Sequence, residues 1–168
     1  MTRLPFRAFA ALGLAVCLSG MLFALYLQHF RGFEPCPLCV FQRVAMIATG
    51  LVFLVAALHG PRGIAGRWAY GGLAGLAAAA GIFTAARHVW LQNLPPDQVP
   101  SCGPTLDYLA EMLPFTEMVQ TVLKGDGNCA IIDAQWLGLS LPTWTLVAFI
   151  GLALWALAMP LAARKESP

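Results

Sequence analysis

A chain of 168 residues that is 59% hydrophobic and only 11% charged does not read as a soluble domain, since soluble domains carry about 25% charged residues. Its net charge of +2 is too small and too dispersed to mark a nucleic-acid surface, so no nucleic-acid partner is expected. The apolar residues gather in four long stretches, and five cysteines stand out against them.

The first stretch, Ala8 to Leu27, is uncharged and follows Arg3 and Arg7. A basic start and an apolar run also describe a secretory signal, and Leu14-Ala15-Val16-Cys17 resembles a weak lipoprotein cleavage site. Val16 suits such a site poorly, and cleavage would leave three spans, so the segment is read as a retained first helix. Cys17 within it is read as a small apolar core residue. The second stretch, Val44 to Leu58, is shorter, and reaches spanning length if Leu38 to Arg43 forms its first turn. Trp68 to Ala86 is the third, flanked by Arg67 and Arg87, and Leu141 to Ala163 the fourth. A membrane-spanning helix needs about 20 apolar residues. The expected fold is therefore an all-α membrane protein, a four-transmembrane-helix bundle in one domain over residues 1–168. Its helices are predicted over about 8–27, 39–58, 68–88 and 142–163.

Basic residues set the orientation. Arg3, Arg7, Arg62, Arg67, Arg164 and Lys165 share one side, and cytoplasmic loops are the ones enriched in Lys and Arg. Both termini are expected in the cytoplasm, with loops of about 28–38 and 89–141 outside. The outer side takes Glu34, Asp97, Asp107, Glu111, Glu117, Asp126 and Asp133. The second outer loop is far longer than a connection requires, a mark of function. Within it Leu106, Leu109, Leu113, Met118, Val119 and Val122 recur at roughly helical spacing, interrupted by Pro114. This predicts a short amphipathic helix that either fills the loop's own core or lies on the membrane surface. The run Lys124 to Asn128 is a turn cluster that delivers Cys129.

Both outer loops carry cysteine pairs. Cys36 and Cys39, in Cys36-Pro37-Leu38-Cys39, form a CxxC at the predicted start of the second helix. A disulfide closing so small a loop gains little from chain entropy and is easily broken and remade. A helix N-terminus stabilises a thiolate, and Pro37 suits the first turn, where its missing N–H is unneeded. Arg43 lies one turn beyond Cys39 on the same face. A guanidinium near hydrocarbon needs a partner, and a Cys39 thiolate or a quinone oxygen gaining charge would be one; a plain interfacial anchor is the alternative. Cys102 and Cys129 share the second outer loop, where an oxidising compartment favours a disulfide between them. Four thiols could also hold zinc, but only if both pairs converged against the competition of disulfide formation, so no metal is expected. His29, His59 and His88 are read as interface residues. Arg87 and His88 lie at the depth of the CxxC, where a quinone head group could hydrogen-bond.

Nearly the whole chain resembles the DsbB family, the disulfide-bond-formation protein B of bacterial inner membranes. The resemblance lies in Gln28-His29, Pro35-Cys36-Pro37-Leu38-Cys39, Gln42-Arg43, Ala86-Arg87, Gly125 to Ala130, and Leu137 to Trp144. It implies that a Cys102–Cys129 disulfide oxidises a periplasmic, thioredoxin-like DsbA, with Cys102 the sulfur attacked. Cys129 would exchange with Cys36, the Cys36–Cys39 pair would pass electrons to ubiquinone (or menaquinone) at Cys39, and Arg43 would steady the charge developing there. The family often carries a Trp five residues after its last loop cysteine; that position is Ala134 here, with Trp136 two residues later. The segment from Arg87 to Cys102 is shorter than in some members, so His88 is not assigned to the quinone-site histidine those members carry. A vitamin K epoxide reductase-like enzyme is the neighbouring alternative, but its CxxC follows the loop cysteines, whereas here it precedes them. A non-enzymatic membrane subunit with structural disulfides is the other.

Overall fold

The structure, a computed structural model, describes residues 6–132 and 135–162. Arg3, Asp133, Ala134, Arg164 and Lys165, used above, lie outside the described residues, as does the final residue of the fourth predicted span. Four helices are long and apolar enough to cross a membrane: α1 (Phe6–Arg31), α2 (Pro37–His59), α3 (Ile64–Gln92) and, after the intervening loop elements, α7 (Leu141–Ala162). Each of the first three runs a few residues past its apolar stretch. Backbone hydrogen bonding does not end where hydrocarbon does, and Gln28, His29, His88 and Gln92 continue the helices into the polar layer.

The bundle order is α1 beside α2, α2 beside α3, and α3 beside α7, with α1 touching α7 more lightly. Small residues on α3 make its close approach to α7 feasible. Gly71, Ala74, Ala78, Gly81 and Ala85 recur three or four positions apart and are all buried, the small-residue seam that lets membrane helices pack closely. A Cβ on Gly81 would run into the ring of the fully buried Phe149. A Cβ on Gly71 would stand 2.8 Å from the Ala156 carbonyl oxygen. Pro160 lies four residues after Ala156 and cannot bond that carbonyl, so Gly71 reaches a carbonyl that has no i+4 donor in α7. The central core adds Phe53, Leu152 and Met159, with Cys17 buried among them as expected. Outward faces are apolar and exposed, as at Leu22, Leu76 and Leu154. In water such a surface would drive aggregation; against lipid it is the proper covering.

One end of the bundle is closed by Arg7, whose guanidinium donates to the Leu58 and His59 carbonyls at the end of α2. Gly60 follows in the left-handed region at φ 56°, completing that cap. The opposite end carries the long loop. The single amphipathic helix expected there is two: α4 (Leu106–Met112) and α5 (Phe115–Lys124), divided at Pro114, whose extended backbone starts the second. A one-turn helix, α6 (Gly127–Ala130), and a hairpin of β1 (Gln135–Trp136) and β2 (Leu139–Ser140) complete it. The antiparallel strands pair Gln135 with Ser140 and Trp136 with Leu139. Leu137 and Gly138 at the turn both have positive φ, the conformation that matches strand twist in two-residue hairpins. Leu109 and Val122 are buried with Leu38, Leu91 and Cys129 in a second core. The loop therefore does have a core of its own, built on the ends of α2 and α3. Met112 and Phe115 at the α4–α5 junction stay exposed.

Candidate redox site at the loop-bearing end

Local backbone chemistry sets the CxxC. Cys36 caps α2 in an extended conformation, and its sulfur accepts a hydrogen bond from the Cys39 N–H at 3.4 Å. Pro37 fills the first helical position, as its fixed φ favours. The two sulfurs end 3.0 Å apart at the positive end of the helix. All five cysteines are free thiols in this structure: Cys36 and Cys39 half-buried, Cys102 exposed, Cys129 and Cys17 buried.

Cys129 is delivered to the CxxC by the turn cluster. Gly125 has φ 76°, and Asp126 caps α6 by accepting the Cys129 N–H at 3.2 Å. The Cys129 thiol then hydrogen-bonds with that of Cys36. This bond raises Cys36 well above the ordinary thiol range, with the contact to Cys39 and burial adding to it. The same bond holds Cys129 below its ordinary value, against burial, with help from the Leu38 and Asp126 backbone. Cys36 thus keeps its proton, and Cys129 has the more thiolate character. The exposed Cys102 lies on the neighbouring segment. Gly127 N–H donates to the Ser101 carbonyl at 3.1 Å, and the Asn128 amide donates to the Gly103 carbonyl at 3.2 Å. A Cβ at Gly127 would press on that segment, 2.6 Å from the Pro100 carbonyl oxygen. The 100–103 and 126–129 segments are therefore pinned together, one cysteine turned to solvent and the other to the bundle.

Arg43 lies on the face predicted, but its partners come from α1. Its guanidinium donates to the Gln28 side-chain oxygen and, at 3.4 Å, to the Ala24 carbonyl. With Cys36 and Cys39 it lines a cavity of about 290 Å³ whose other walls include Met21, Phe23, Leu27, Met46, Leu141 and Trp144. Such a cavity, mostly apolar with a few polar groups in its lining, is the usual build of a small-molecule site.

Sequence reasoning undervalued His88. It is buried on α3, with Nε2 3.8 Å from Cys36 Sγ and Nδ1 3.9 Å from Cys39 Sγ. The buried Gln42 side chain lies 3.2 Å from Nδ1. The available signal was depth: His88 ends the third apolar run where the CxxC begins the second. Which face of α3 met α2 was not readable. Arg87, one residue earlier, points elsewhere. It donates to the Leu123 and Lys124 carbonyls at 3.2 and 2.7 Å and lies 4.1 Å over the Trp90 ring. Trp136 is largely exposed, and its carbonyl accepts from the Trp144 indole at 3.0 Å. Its role is to seat the hairpin on α7.

Comparison with known proteins agrees with this geometry. Residues 6–159 match the family model described as disulfide bond formation protein DsbB. The disulfide bond formation protein B of Xanthomonas euvesicatoria is 50% identical over 165 residues, covering 98% of this chain and 96% of that protein. Those of Acinetobacter baumannii and Chromohalobacter salexigens are 52% and 51% identical, covering 90% and 88% of this chain and 89% and 86% of theirs. A four-span helical membrane protein with two CxxC thiols, a third thiol docked on them and a family match over nearly its whole length, this chain belongs to the DsbB family of disulfide bond formation proteins.

Proposed function

We propose that the protein is a thiol:quinone oxidoreductase of the bacterial inner membrane that reoxidises a periplasmic DsbA-type partner of thioredoxin fold. The observation that carries this reading is the contact of Cys36 with Cys129 on one side while Cys36 and Cys39 open on the apolar cavity on the other. In the proposed cycle a Cys102–Cys129 disulfide is attacked at Cys102, the exposed sulfur, by a partner thiolate. The mixed disulfide forms as Cys129 leaves, and the partner's second thiol then releases Cys102. Two electrons have entered the loop pair, and the partner has gained its disulfide. Cys129, held toward thiolate, attacks Cys36 of an oxidised CxxC, and Cys102 resolves that bond. Cys39 leaves as a thiolate beside the α2 N-terminus.

Ubiquinone, or menaquinone, is the acceptor that would take two electrons and two protons from the reduced CxxC. The cavity suits it: apolar walls for an isoprenoid-bearing ring, with Arg43 and His88 among the polar groups that line it. Arg43 would be the donor toward a carbonyl oxygen gaining charge, held in place by Gln28. A DsbA-type oxidant needs an acceptor of higher potential, and ~30 mV across a two-electron couple is worth about 1.4 kcal/mol.

The test is direct. Purified protein is incubated with ubiquinone and a reduced DsbA-type protein, and quinone absorbance is followed. Wild type consumes quinone in proportion to partner oxidised, and Cys39→Ser does not. A wild type that consumes none sinks the enzyme reading, and equal consumption by Cys39→Ser sinks the assigned path.

A further inference from the structure

The reduced cluster holds more than a relay needs. Cys36, Cys39 and His88 each offer a soft or borderline ligand atom, and these atoms lie within 4.8 Å of one another. The sulfurs are 3.0 Å apart, with Nε2 3.8 Å from Cys36 Sγ and Nδ1 3.9 Å from Cys39 Sγ. Tetrahedral zinc, with Zn–S of about 2.3 Å and Zn–N of about 2.0–2.1 Å, sets its ligand atoms roughly 3.5–3.8 Å apart. Opening the sulfur pair by under about 1 Å reaches that spacing, with one His88 nitrogen turned toward both sulfurs. Cys129 meets Cys36 from the loop side and would supply the fourth position by a further shift toward Cys39 and His88. Gln42 is placed as the outer partner of a ligating histidine. Its amide nitrogen lies 3.2 Å from Nδ1; turning that amide over would set its oxygen to accept the Nδ1 proton and leave the Nε2 lone pair facing Cys36. Three thiolates and a divalent cation leave one net negative charge, beside the α2 N-terminus and with Arg43 on the same cavity.

We propose that the fully reduced protein binds one thiophilic divalent cation, zinc foremost, through Cys36, Cys39, Cys129 and His88. The convergence that four loop thiols would have needed falls to two of them and a histidine, with Cys129 closing in from the loop, and Cys102 takes no part. Binding releases the thiol protons and moves no electrons. A disulfide between any two of the sulfurs removes two ligands, so the metal and the oxidising cycle compete for the same atoms. Bound zinc would hold the protein reduced and stop turnover. That consequence rests on the function proposed above; the metal site does not.

The experiment uses the full chain in detergent micelles, reduced with a phosphine that is then removed, and titrated with Co²⁺. The expected result is one Co²⁺ per chain, with thiolate-to-cobalt charge-transfer bands in the near ultraviolet, visible bands of tetrahedral intensity, and displacement by one equivalent of Zn²⁺. Cys102→Ser gives the same spectrum. Cys39→Ser and His88→Ala weaken cobalt binding at least tenfold. The same wild-type chain oxidised at its cysteines binds none, a comparison that involves no change of sequence. Absence of charge-transfer bands in the reduced wild type overturns the site, as does equal binding by the oxidised chain or loss of binding in Cys102→Ser. Because Co²⁺ is read without quinone or partner, failure here leaves the oxidoreductase reading standing, and failure of turnover leaves the metal result standing.

Discussion

At the scale of single residues, the site is decided by who partners a charge or a thiol. Arg43 is useful because Gln28 and the Ala24 carbonyl hold it on the cavity wall without neutralising it. A hydrogen bond to a charged group is worth about 1.5–3 kcal/mol, and each 1.4 kcal/mol is a factor of ten. Arg43→Ala is therefore expected to raise the apparent KM for ubiquinone about tenfold or more, while the KM for the DsbA-type partner stays nearly fixed. Gln28→Ala should move the quinone KM the same way by less, since the guanidinium remains but loses its tether. Steady-state quinone reduction measures both, and a change confined to the partner KM would refute Arg43's placement. The sequence showed Arg43 one turn from Cys39. It could not show Gln28 as the partner, because that contact joins two helices whose relative rotation no local pattern encodes.

The helices and loop elements act as positioning devices, and two of them are open to test. Arg87 ties the last carbonyls of α5 to α3, directly ahead of the turn that presents Cys129. Removing that tether should let α6 drift from Cys36. Arg87→Ala is expected to lower kcat with the partner about tenfold, roughly the loss of one charged hydrogen bond, and to leave the quinone KM unmoved. Arg87→Lys should recover part of the rate, since an ammonium keeps the charge but cannot fork to both carbonyls. An unchanged kcat in Arg87→Ala would show that α6 is held by its own contacts alone. The second device is the small-residue seam of α3. Gly81 admits the Phe149 ring, and any side chain there overpacks the α3–α7 contact. Gly81→Ala should cost about 1–3 kcal/mol, read as a lowered thermal midpoint in detergent. An unaltered midpoint would mean that Phe149 has room to turn away. The helix count was legible from hydropathy, yet the seam was not singled out, because glycine and alanine on a spanning helix are as consistent with a lipid face as with a buried one.

Across the whole molecule, topology follows from a few long-range bonds. Arg7 on the Leu58 and His59 carbonyls puts the start of α1 and the end of α2 together. Trp155 on α7 donates to the Phe9 carbonyl at 2.9 Å and places the late part of α7 beside the early part of α1. The four cysteines of the proposed cycle gather at the opposite end. The proposed orientation, with the basic residues inside, puts the cysteine-free end in the cytoplasm. In spheroplasts under mild reduction, a membrane-impermeant maleimide is expected to label the exposed Cys102 and to spare Cys17, which is buried in the bundle. Protection of Cys102 in intact spheroplasts, with labelling after lysis, would invert the orientation.

The sequence by itself determined the number of spans, the grouping of basic residues on one side, the CxxC at a helix start, and the family. These are properties of composition and near-neighbour spacing, where hydrocarbon length and helix-end chemistry act locally. Only the tertiary structure decided that Cys129 meets Cys36 while Cys102 faces solvent, that His88 sits against both CxxC sulfurs, and that Pro114 divides one expected helix into two packed pieces. Each depends on the rotation of one helix against another or on how a long loop folds back. Those outcomes are set by packing between residues dozens of positions apart, and no local periodicity carries them.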